Sequence, residues 1–328
     1  MRLRILLVTA LGFAVVFWLI ERAGVGAVLS AAGAIGWGGF GVLCLGGLAL
    51  FLIFGPAWAV LVPRSAGGTT AIFIWARAVR DSASEVLPFS QLGGMALGVR
   101  AAVLHGVTSR MAVGSMIVDV TTEMLAQIAY AGLGVAVLIT RAPRSPLARS
   151  LTIAFSVGLA LAAVLAVTFL VLQCYSHRWA ASRLVQRVLP GPKAFTAALT
   201  TTLDTIYRHP SRVALSLALH FAGWIMSAAF TWVAFRLVGA RIDLDAALAI
   251  DSLVYATRSA AFVMPSALGV QEAAYTVLAP LVGVGKEFGL AVSLLKRARD
   301  IAIGIPILLI WQAMEGRRAF TARDADRP

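Results

Sequence analysis

Four long apolar runs, at residues 5–20, 37–62, 151–172 and 213–235, constrain the fold of this chain most. Each is close to the roughly 20 residues that a helix needs to cross a bilayer. The chain has 328 residues, of which 60% are hydrophobic and only 13% are charged. A soluble domain of this size needs a more charged surface. The sequence therefore predicts an all-α polytopic membrane protein, and no polar segment is long enough to add a soluble catalytic domain.

Two apolar regions, about 68–109 and 244–284, are interrupted in the same way, each by an arginine, a proline and then glycine. The interrupting residues are Arg80, Pro88, Gly93 and Gly94 in the first region and Arg258, Pro265 and Gly269 in the second. Backbone that leaves the helix at membrane depth must be buried in protein or line a wet cavity, so we predict two re-entrant broken-helix regions. Paired segments of this kind are the best sequence indicator of the binding site of a membrane transporter.

The distribution of lysine and arginine predicts the topology, because cytoplasmic loops carry an excess of both. About six full transmembrane helices, beginning with residues 5–21, would place both termini in the cytoplasm. The first broken region would then enter from inside and the second from outside, as in an inverted repeat. We predict one integral membrane domain over 1–328, with repeat halves at about 1–140 and 213–316 and a cytoplasmic tail at 317–328.

Two loops bear on this topology in opposite directions. Arg141, Arg144 and Arg149 would lie outside, against the rule, whereas the more basic loop at about 176–212 is the stronger cytoplasmic signal. Apolar residues recur at helical spacing in that second loop, at Phe195, Leu199, Leu203 and Ile206. This spacing predicts either an amphipathic linker helix at the inner membrane surface or an ordinary helical connector.

The net charge of +13 does not indicate a nucleic-acid partner, because the arginines are scattered over short loops without a binding motif. Membrane topology explains the excess, and attraction to anionic lipid headgroups is compatible with it. The two cysteines, Cys44 and Cys174, lack CxxC spacing, and the four histidines lack the spacing of metal ligands. We therefore expect neither a metal site nor a cofactor.

Many ionisable residues fall at membrane depth, where each costs roughly 2.5–3.5 kcal/mol on insertion scales unless it is paired or wetted. They are Arg77, Arg80, Asp81, Glu85, Arg100, Asp119, Glu123, Asp251, Arg258, Glu272, Arg297, Arg299 and Asp300. One interpretation is structural pairing between helices. The other is a hydrophilic cavity for a charged headgroup, in which arginine would bind phosphate through two hydrogen bonds at once.

These residues resemble the flippase-like membrane domain of the lysylphosphatidylglycerol synthase family over nearly the whole chain. The matching positions are Arg80, Pro88, Gly93, Gly94, Arg100, Asp119, Glu123, Pro265, Gly269, Glu272 and Arg297. Within the family, the segment from Leu87 to Gly94 resembles the hopanoid-biosynthesis-associated members. The usual Pro-Gly-Gly-Leu-Gly element departs from the family pattern here and reads Pro265-Ser266-Ala267-Leu268-Gly269.

The resemblance implies a bacterial inner-membrane protein that moves a hopanoid or phospholipid between leaflets, or binds it. We expect headgroup contacts or their charge partners at Arg80, Arg100, Asp119, Glu123, Arg258, Glu272 and Arg297. We expect the helix breaks to be shaped by Pro88, Gly93, Gly94, Pro265 and Gly269. No enzyme activity is carried over, because the family's aminoacyl-transfer domain and other catalytic motifs are absent from the sequence. A membrane enzyme, a partner of lipid-biosynthesis proteins and a non-catalytic scaffold are the alternatives, and the oligomeric state is left open.

Overall fold

The computed structural model describes residues 33–87, 90–141, 146–175, 193–261 and 269–324. Within these ranges the chain forms α-helices and no strand, as the sequence predicts. In chain order the helices are α1 (Gly36–Ala59), α2 (Thr70–Val86), α3 (Ser90–Leu104), α4 (Ser109–Arg141), α5 (Pro146–Cys174), α6 (Lys193–Tyr207), α7 (Pro210–Leu237), α8 (Leu244–Ala260), α9 (Val270–Leu278) and α10 (Lys286–Asp324). Short 3-10 helices span Arg64–Ala66 and Ala279–Val282.

Four of the described helices, α1, α4, α5 and α7, are long and apolar enough to cross a membrane. The last of the six predicted spans, which begins near Phe288, corresponds to α10, a helix of 39 residues that carries a cluster of charged residues in its first half. The first predicted span, at about 5–21, lies outside the described residues. The multi-pass character of the chain is therefore confirmed, whereas the count of six spans stays a prediction.

The first broken region forms a helical hairpin of α2 and α3, which we call hairpin one. Its two ends lie together, since a Cβ atom on Gly67 would be only 2.7 Å from the carbonyl oxygen of Gly106. The chain therefore enters and leaves at one side, as predicted for a re-entrant pair. Gly94 lies inside α3, and a Cβ there would be 2.5 Å from the carbonyl oxygen of Arg80 in α2. Gly94 thus permits close helix packing, and the break precedes Ser90.

Gly93 also lies within α3 rather than at its start. Pro88, the other residue of the predicted break, is outside the described residues, as is Pro265 in the second region. Because α3 continues through both glycines, neither residue forms the break itself. Gly94 instead allows α3 to pack closely against α2.

The second broken region forms a shorter hairpin of α8 and α9, which we call hairpin two. Its two ends share one apolar cluster, in which Ile242 and Ala246 pack with Leu278 and Val284. Gly269 precedes α9 with a φ of +79°, a backbone conformation that favours glycine. The turn into α9 therefore requires glycine at position 269, which is one of the residues of the predicted break.

The long helix α4 relates the two hairpins to each other. Its first residues follow Gly106, at the base of hairpin one. Its last residue, Arg141, binds Asp243 at 2.9 Å and Asp245 at 2.7 Å, at the base of hairpin two. Because 33 helical residues extend about 50 Å, the hairpins start at opposite ends of α4 and point toward each other.

Each hairpin also packs on the long helix that follows the other hairpin. The helix α2 of hairpin one contacts α10, and α8 of hairpin two contacts α4. This arrangement is what an inverted repeat produces. The repeat boundaries at about 1–140 and 213–316 stay a prediction. The two aspartates also neutralise Arg141, which explains how an arginine can lie on the side opposite to the basic loops.

Two further helices complete the described fold. Only 6% of the most apolar stretch of α5 is buried, and Leu161, Val164 and Leu165 point outward, so α5 presents its side chains to lipid. The helix α6 occupies part of the predicted linker at 176–212. Its residues Leu203 and Ile206 are buried in an apolar cluster with α4, so its apolar face contacts protein.

Candidate functional site

A cavity of about 290 Å³ lies where the two hairpins meet. Helices from both halves of the chain form its walls, namely α1, α2, α3, α4, α7, α8 and α10. The charged residues of its lining are four arginines and four carboxylates, Arg77, Arg80, Arg258, Arg299, Asp81, Glu85, Glu123 and Asp300. The charge that the sequence places at membrane depth is thus concentrated around one polar space.

The helix α2 contributes one charged face to this cavity. Arg77, Arg80, Asp81 and Ser84 recur at intervals of three and four residues, so they project from one side of the helix. The Ser84 hydroxyl donates a hydrogen bond back to the carbonyl of Arg80 at 3.0 Å, which satisfies it within the helix. Apolar residues on the other face, such as Val79 and Val86, are buried and fix the orientation of α2.

Glu123 of α4 accepts hydrogen bonds from both arginines of α2. Arg77 Nη2 lies 2.5 Å from Glu123 Oε1, and Arg80 Nη2 lies 2.8 Å from Glu123 Oε2. Arg77 Nη1 also donates to Glu123 Oε2 at 3.2 Å, so the planar fork of Arg77 binds both carboxylate oxygens and Arg80 adds a second donor to one of them. This network attaches hairpin one to the middle of α4.

Asp119 extends the network below the cavity surface. It is one helical turn from Glu123 and is fully buried. One of its oxygens accepts a hydrogen bond from Arg80 Nη1 at 3.0 Å, and the other lies 3.0 Å from Nε2 of the buried His220 in α7. The His220 ring stacks on Phe54 with the ring centroids 5.6 Å apart. Three helices are thus joined through a single carboxylate.

The opposite wall is formed by hairpin two and α10. Arg258 near the end of α8 donates a hydrogen bond to Glu85 near the end of α2, so this ion pair connects the two hairpins directly. The side chain of Gln127 donates to Ser259 at 2.8 Å and adds a contact between α4 and α8. Arg299 pairs with its neighbour Asp300 at 2.7 Å.

A separate ion pair, Lys296 with Asp251, lies deeper in the fold and outside the cavity lining. Lys296 Nζ is 2.6 Å from Asp251 Oδ1, and Asp251 is fully buried. The remaining acceptor capacity of Asp251 is filled by hydroxyls of Tyr130 at 2.8 Å, Ser227 at 2.9 Å and Thr231 at 2.6 Å. Because its hydrogen bonds are satisfied by protein, this pair joins helices rather than presenting charge to a ligand.

The structure brings four of the seven predicted contact residues to one place. Arg80, Glu123 and Arg258 line the cavity, and Asp119 lies directly behind the lining. Arg100 does not join them, because its side chain is 53% exposed and binds Glu315 at 2.7 Å. It lies two residues beyond Gly98, which faces Arg80, and residues two apart point to nearly opposite sides of a helix.

Glu272 and Arg297, the other two predicted contacts, bind each other at 2.8 Å away from the cavity lining. Glu272 also accepts a hydrogen bond from the backbone N–H of Gly269 at 2.9 Å. One carboxylate therefore holds the first turn of α9 and ties it to α10, which is a positioning role within hairpin two.

Five charged lining residues were not among the predicted contacts, namely Arg77, Asp81, Glu85, Arg299 and Asp300. The sequence already contains the signal for the first two, since they share the helical spacing of Arg80. Within the described residues, no group of three or more His, Cys, Asp or Glu side chains is placed to hold a metal ion.

A family model described as the lysylphosphatidylglycerol synthase TM region matches residues 3–307, which include every residue that lines the cavity. No curated protein matches this chain, and no solved structure does. The match does not distinguish a hopanoid-associated subgroup.

Proposed function

The chain belongs to the lysylphosphatidylglycerol synthase TM region family, membrane proteins tied to lipid handling, and from that premise we propose that it moves a polar lipid between leaflets. The observation that carries the proposal is the charged cavity between two hairpins that enter from opposite ends of α4. Such a site, at the meeting point of inverted elements, is where transporters bind their substrates.

The headgroup occupies the cavity while the acyl or terpenoid tail stays in lipid. Polar side chains at membrane depth cost little when they face a wet cavity, which accounts for the eight charged residues of the lining. We propose Arg80 and Arg258 as headgroup contacts. Glu123 and Asp119 hold Arg80 in place, and Asp119 also contacts the buried His220.

The lipid is a hopanoid or a phospholipid in this proposal, and the membrane is the bacterial inner membrane with both termini in the cytoplasm. Partner proteins of lipid biosynthesis belong to the same proposal. Extraction of the purified protein and mass spectrometry of the lipids that accompany it would identify the class. If the lipids that accompany the protein match the bulk membrane composition, and if Arg80→Ala does not change them, the site is not selective.

A membrane enzyme and a scaffold predict different behaviour. An enzyme converts a lipid to a new product when purified protein and substrate are combined, without any change of leaflet. A scaffold tolerates single substitutions of the charged lining residues but not of residues at a partner interface. Lipid mass spectrometry detects the product of an enzyme, and an assay of complex formation detects a scaffold. Neither measurement depends on lipid movement.

The proposal is tested by lipid movement in proteoliposomes, with alanine at Arg80, Arg258 and Glu272. We expect Arg80→Ala and Arg258→Ala to slow movement by roughly a hundredfold, because each removes a guanidinium that is proposed to bind the headgroup through charge-assisted hydrogen bonds. Glu272→Ala should act more weakly, through the position of α9. Normal movement in all three variants, with normal folding, would show that the cavity does not bind the lipid.

A further inference from the structure

We propose that the Glu85–Arg258 ion pair joins the hairpins in the closed state, and that a zwitterionic headgroup separates them by exchanging partners with this pair. The inference rests on the proposed function and specifies its substrate class. The phosphate of the headgroup takes the place of Glu85 at Arg258, and its ammonium takes the place of Arg258 at Glu85. No bond is made or broken other than hydrogen bonds and ion contacts.

The position of the pair is the first argument. Glu85 lies one residue before the end of α2, and Arg258 two residues before the end of α8, so the pair links the two hairpins where they meet. The residues are 173 positions apart in the chain. The side chain of Glu85 is 29% exposed to the cavity side and that of Arg258 is 10% exposed, so a ligand in the cavity can reach both.

The pair is also simpler to exchange than the ion pairs made by the arginines of α2. The arginines of α2 are held by several carboxylates at once, since Arg77 contacts Asp81 and Glu123 and Arg80 contacts Asp119 and Glu123. Glu85 and Arg258 instead make one ion pair with each other. A headgroup therefore displaces one contact there, whereas displacement at Arg80 requires breaking two.

Charge balance is the second argument. The described lining contains equal numbers of arginines and carboxylates, and the undescribed segments 88–89 and 262–268 contain no charged residue. The buried Asp119 behind the lining adds a further carboxylate. An anionic headgroup that displaces Glu85 from Arg258 leaves the Glu85 carboxylate unpaired at membrane depth, which is costly. A zwitterionic headgroup satisfies both members of the pair.

Aromatic side chains beside the pair provide the third argument. Arg258 lies over the ring of Tyr255, 5.4 Å from its centroid, and the Tyr255 ring contacts that of Trp224 at 4.8 Å. Both rings line the cavity. Aromatic faces attract organic cations within about 6 Å. An ammonium group that replaces the guanidinium at Glu85 thus enters an environment that already accommodates a cation.

The wild-type protein tests the substrate class directly. Proteoliposomes would carry labelled lipids with identical tails and either a phosphoethanolamine or a phosphoglycerol headgroup. We expect the zwitterionic lipid to move roughly tenfold faster than the anionic one. Movement of neither lipid would overturn the proposed function itself. Equal rates, or faster movement of the anionic lipid, would leave that function standing and overturn the zwitterion assignment.

Substitutions then test the pair. Glu85→Gln leaves Arg258 without its carboxylate and should shift the preference roughly tenfold toward the anionic lipid. Arg258→Gln should lower movement of both lipids, and the exchange E85R/R258E should restore the zwitterionic preference. Asp245→Asn, at the base of hairpin two and outside the cavity lining, is the matched control and should leave the preference unchanged. An unchanged preference in folded Glu85→Gln protein would overturn the role of the pair. If that variant does not fold, the headgroup comparison in wild type still decides the substrate class.

Discussion

Lys296 Nζ lies 2.6 Å from Asp251 Oδ1, and this contact joins α10 to hairpin two at a depth that the cavity does not reach. The cavity above it uses the same kinds of residue in a different way. There the arginines and carboxylates face a polar space, whereas Asp251 is enclosed by hydroxyl groups of α4 and α7. The two groups of charges therefore have different consequences when they are substituted.

Removal of one member of the deep pair should destabilise the protein. Lys296→Met leaves Asp251 buried without its counterion, a change that costs about 3–5 kcal/mol in folding free energy. Thermal unfolding in detergent micelles measures this loss. The D251N/K296M double variant should unfold at a higher temperature than K296M, because it leaves no buried charge unpaired.

A surface pair provides the comparison for that experiment. Asp245→Asn removes one of the two carboxylates that bind the exposed Arg141, and surface pairs are worth at most about 1 kcal/mol. If Lys296→Met and Asp245→Asn have the same midpoint temperature of thermal unfolding, the structural role of the deep pair is contradicted.

Hairpin one depends on a glycine at its helix contact. A Cβ atom on Gly98 would lie 2.8 Å from Cβ of Arg80, so Gly98→Ala must push α3 away from α2. We expect the unfolding free energy to fall by about 1–3 kcal/mol, as overpacking does, and lipid movement to fall with it. Gly41→Ala is the control, because no described atom lies within 4 Å of that added Cβ. Equal stability of the two variants would show that the α2–α3 contact is not close.

Hairpin two depends on the turn at Gly269. An alanine with a φ of +79° costs about 1 kcal/mol or more, so Gly269→Ala should loosen the first turn of α9. Hydrogen exchange followed by mass spectrometry should show faster exchange in peptides that cover 270–276. Gly158→Ala in the lipid-facing α5, where the added Cβ meets open space, should leave this exchange unchanged. Faster exchange in both variants would indicate a general loss of stability instead.

The two hairpins should be accessible from opposite sides of the membrane. Single cysteines at the exposed positions Ser65 and Arg241 would report on the bases of hairpins one and two, in a protein whose Cys44 and Cys174 are replaced by alanine. A membrane-impermeant maleimide applied to right-side-out vesicles should label only Arg241→Cys if the N-terminus is cytoplasmic. Labelling of both positions from one side would refute the inverted arrangement.

The sequence predicts the large features of this fold because those features are local. Twenty-residue apolar runs define spans, and paired proline and glycine residues mark the two broken regions. The spacing of Asp119 and Glu123 places both on one helix face, and both join the same arginine network. Arg80 and Arg258 could be placed near the two breaks for the same reason, since each precedes the proline of its region by seven or eight residues.

Pairing between distant helices was not predictable in this way. Glu85 meets Arg258 and Asp251 meets Lys296 only because the hairpins interdigitate with α4 and α10, and no local pattern states which carboxylate faces which cation. His220 has no ligand-like spacing in the sequence, yet it is fully buried beside Asp119. Arg100 shows the opposite error, because its proximity to the break in sequence does not fix the side of α3 from which it projects.

The most direct test of the central claim is to locate a bound headgroup by photocrosslinking. A phospholipid with a photoreactive headgroup should label peptides of α2 and α4 that contain Arg80 and Glu123, and this labelling should fall at least roughly tenfold in Arg80→Ala. The same lipid with the reactive group on its tail should label the exposed apolar face of α5, near Leu161 and Val164. Headgroup labelling confined to the outer surface, in a preparation that still moves lipid, would contradict a headgroup site between the hairpins.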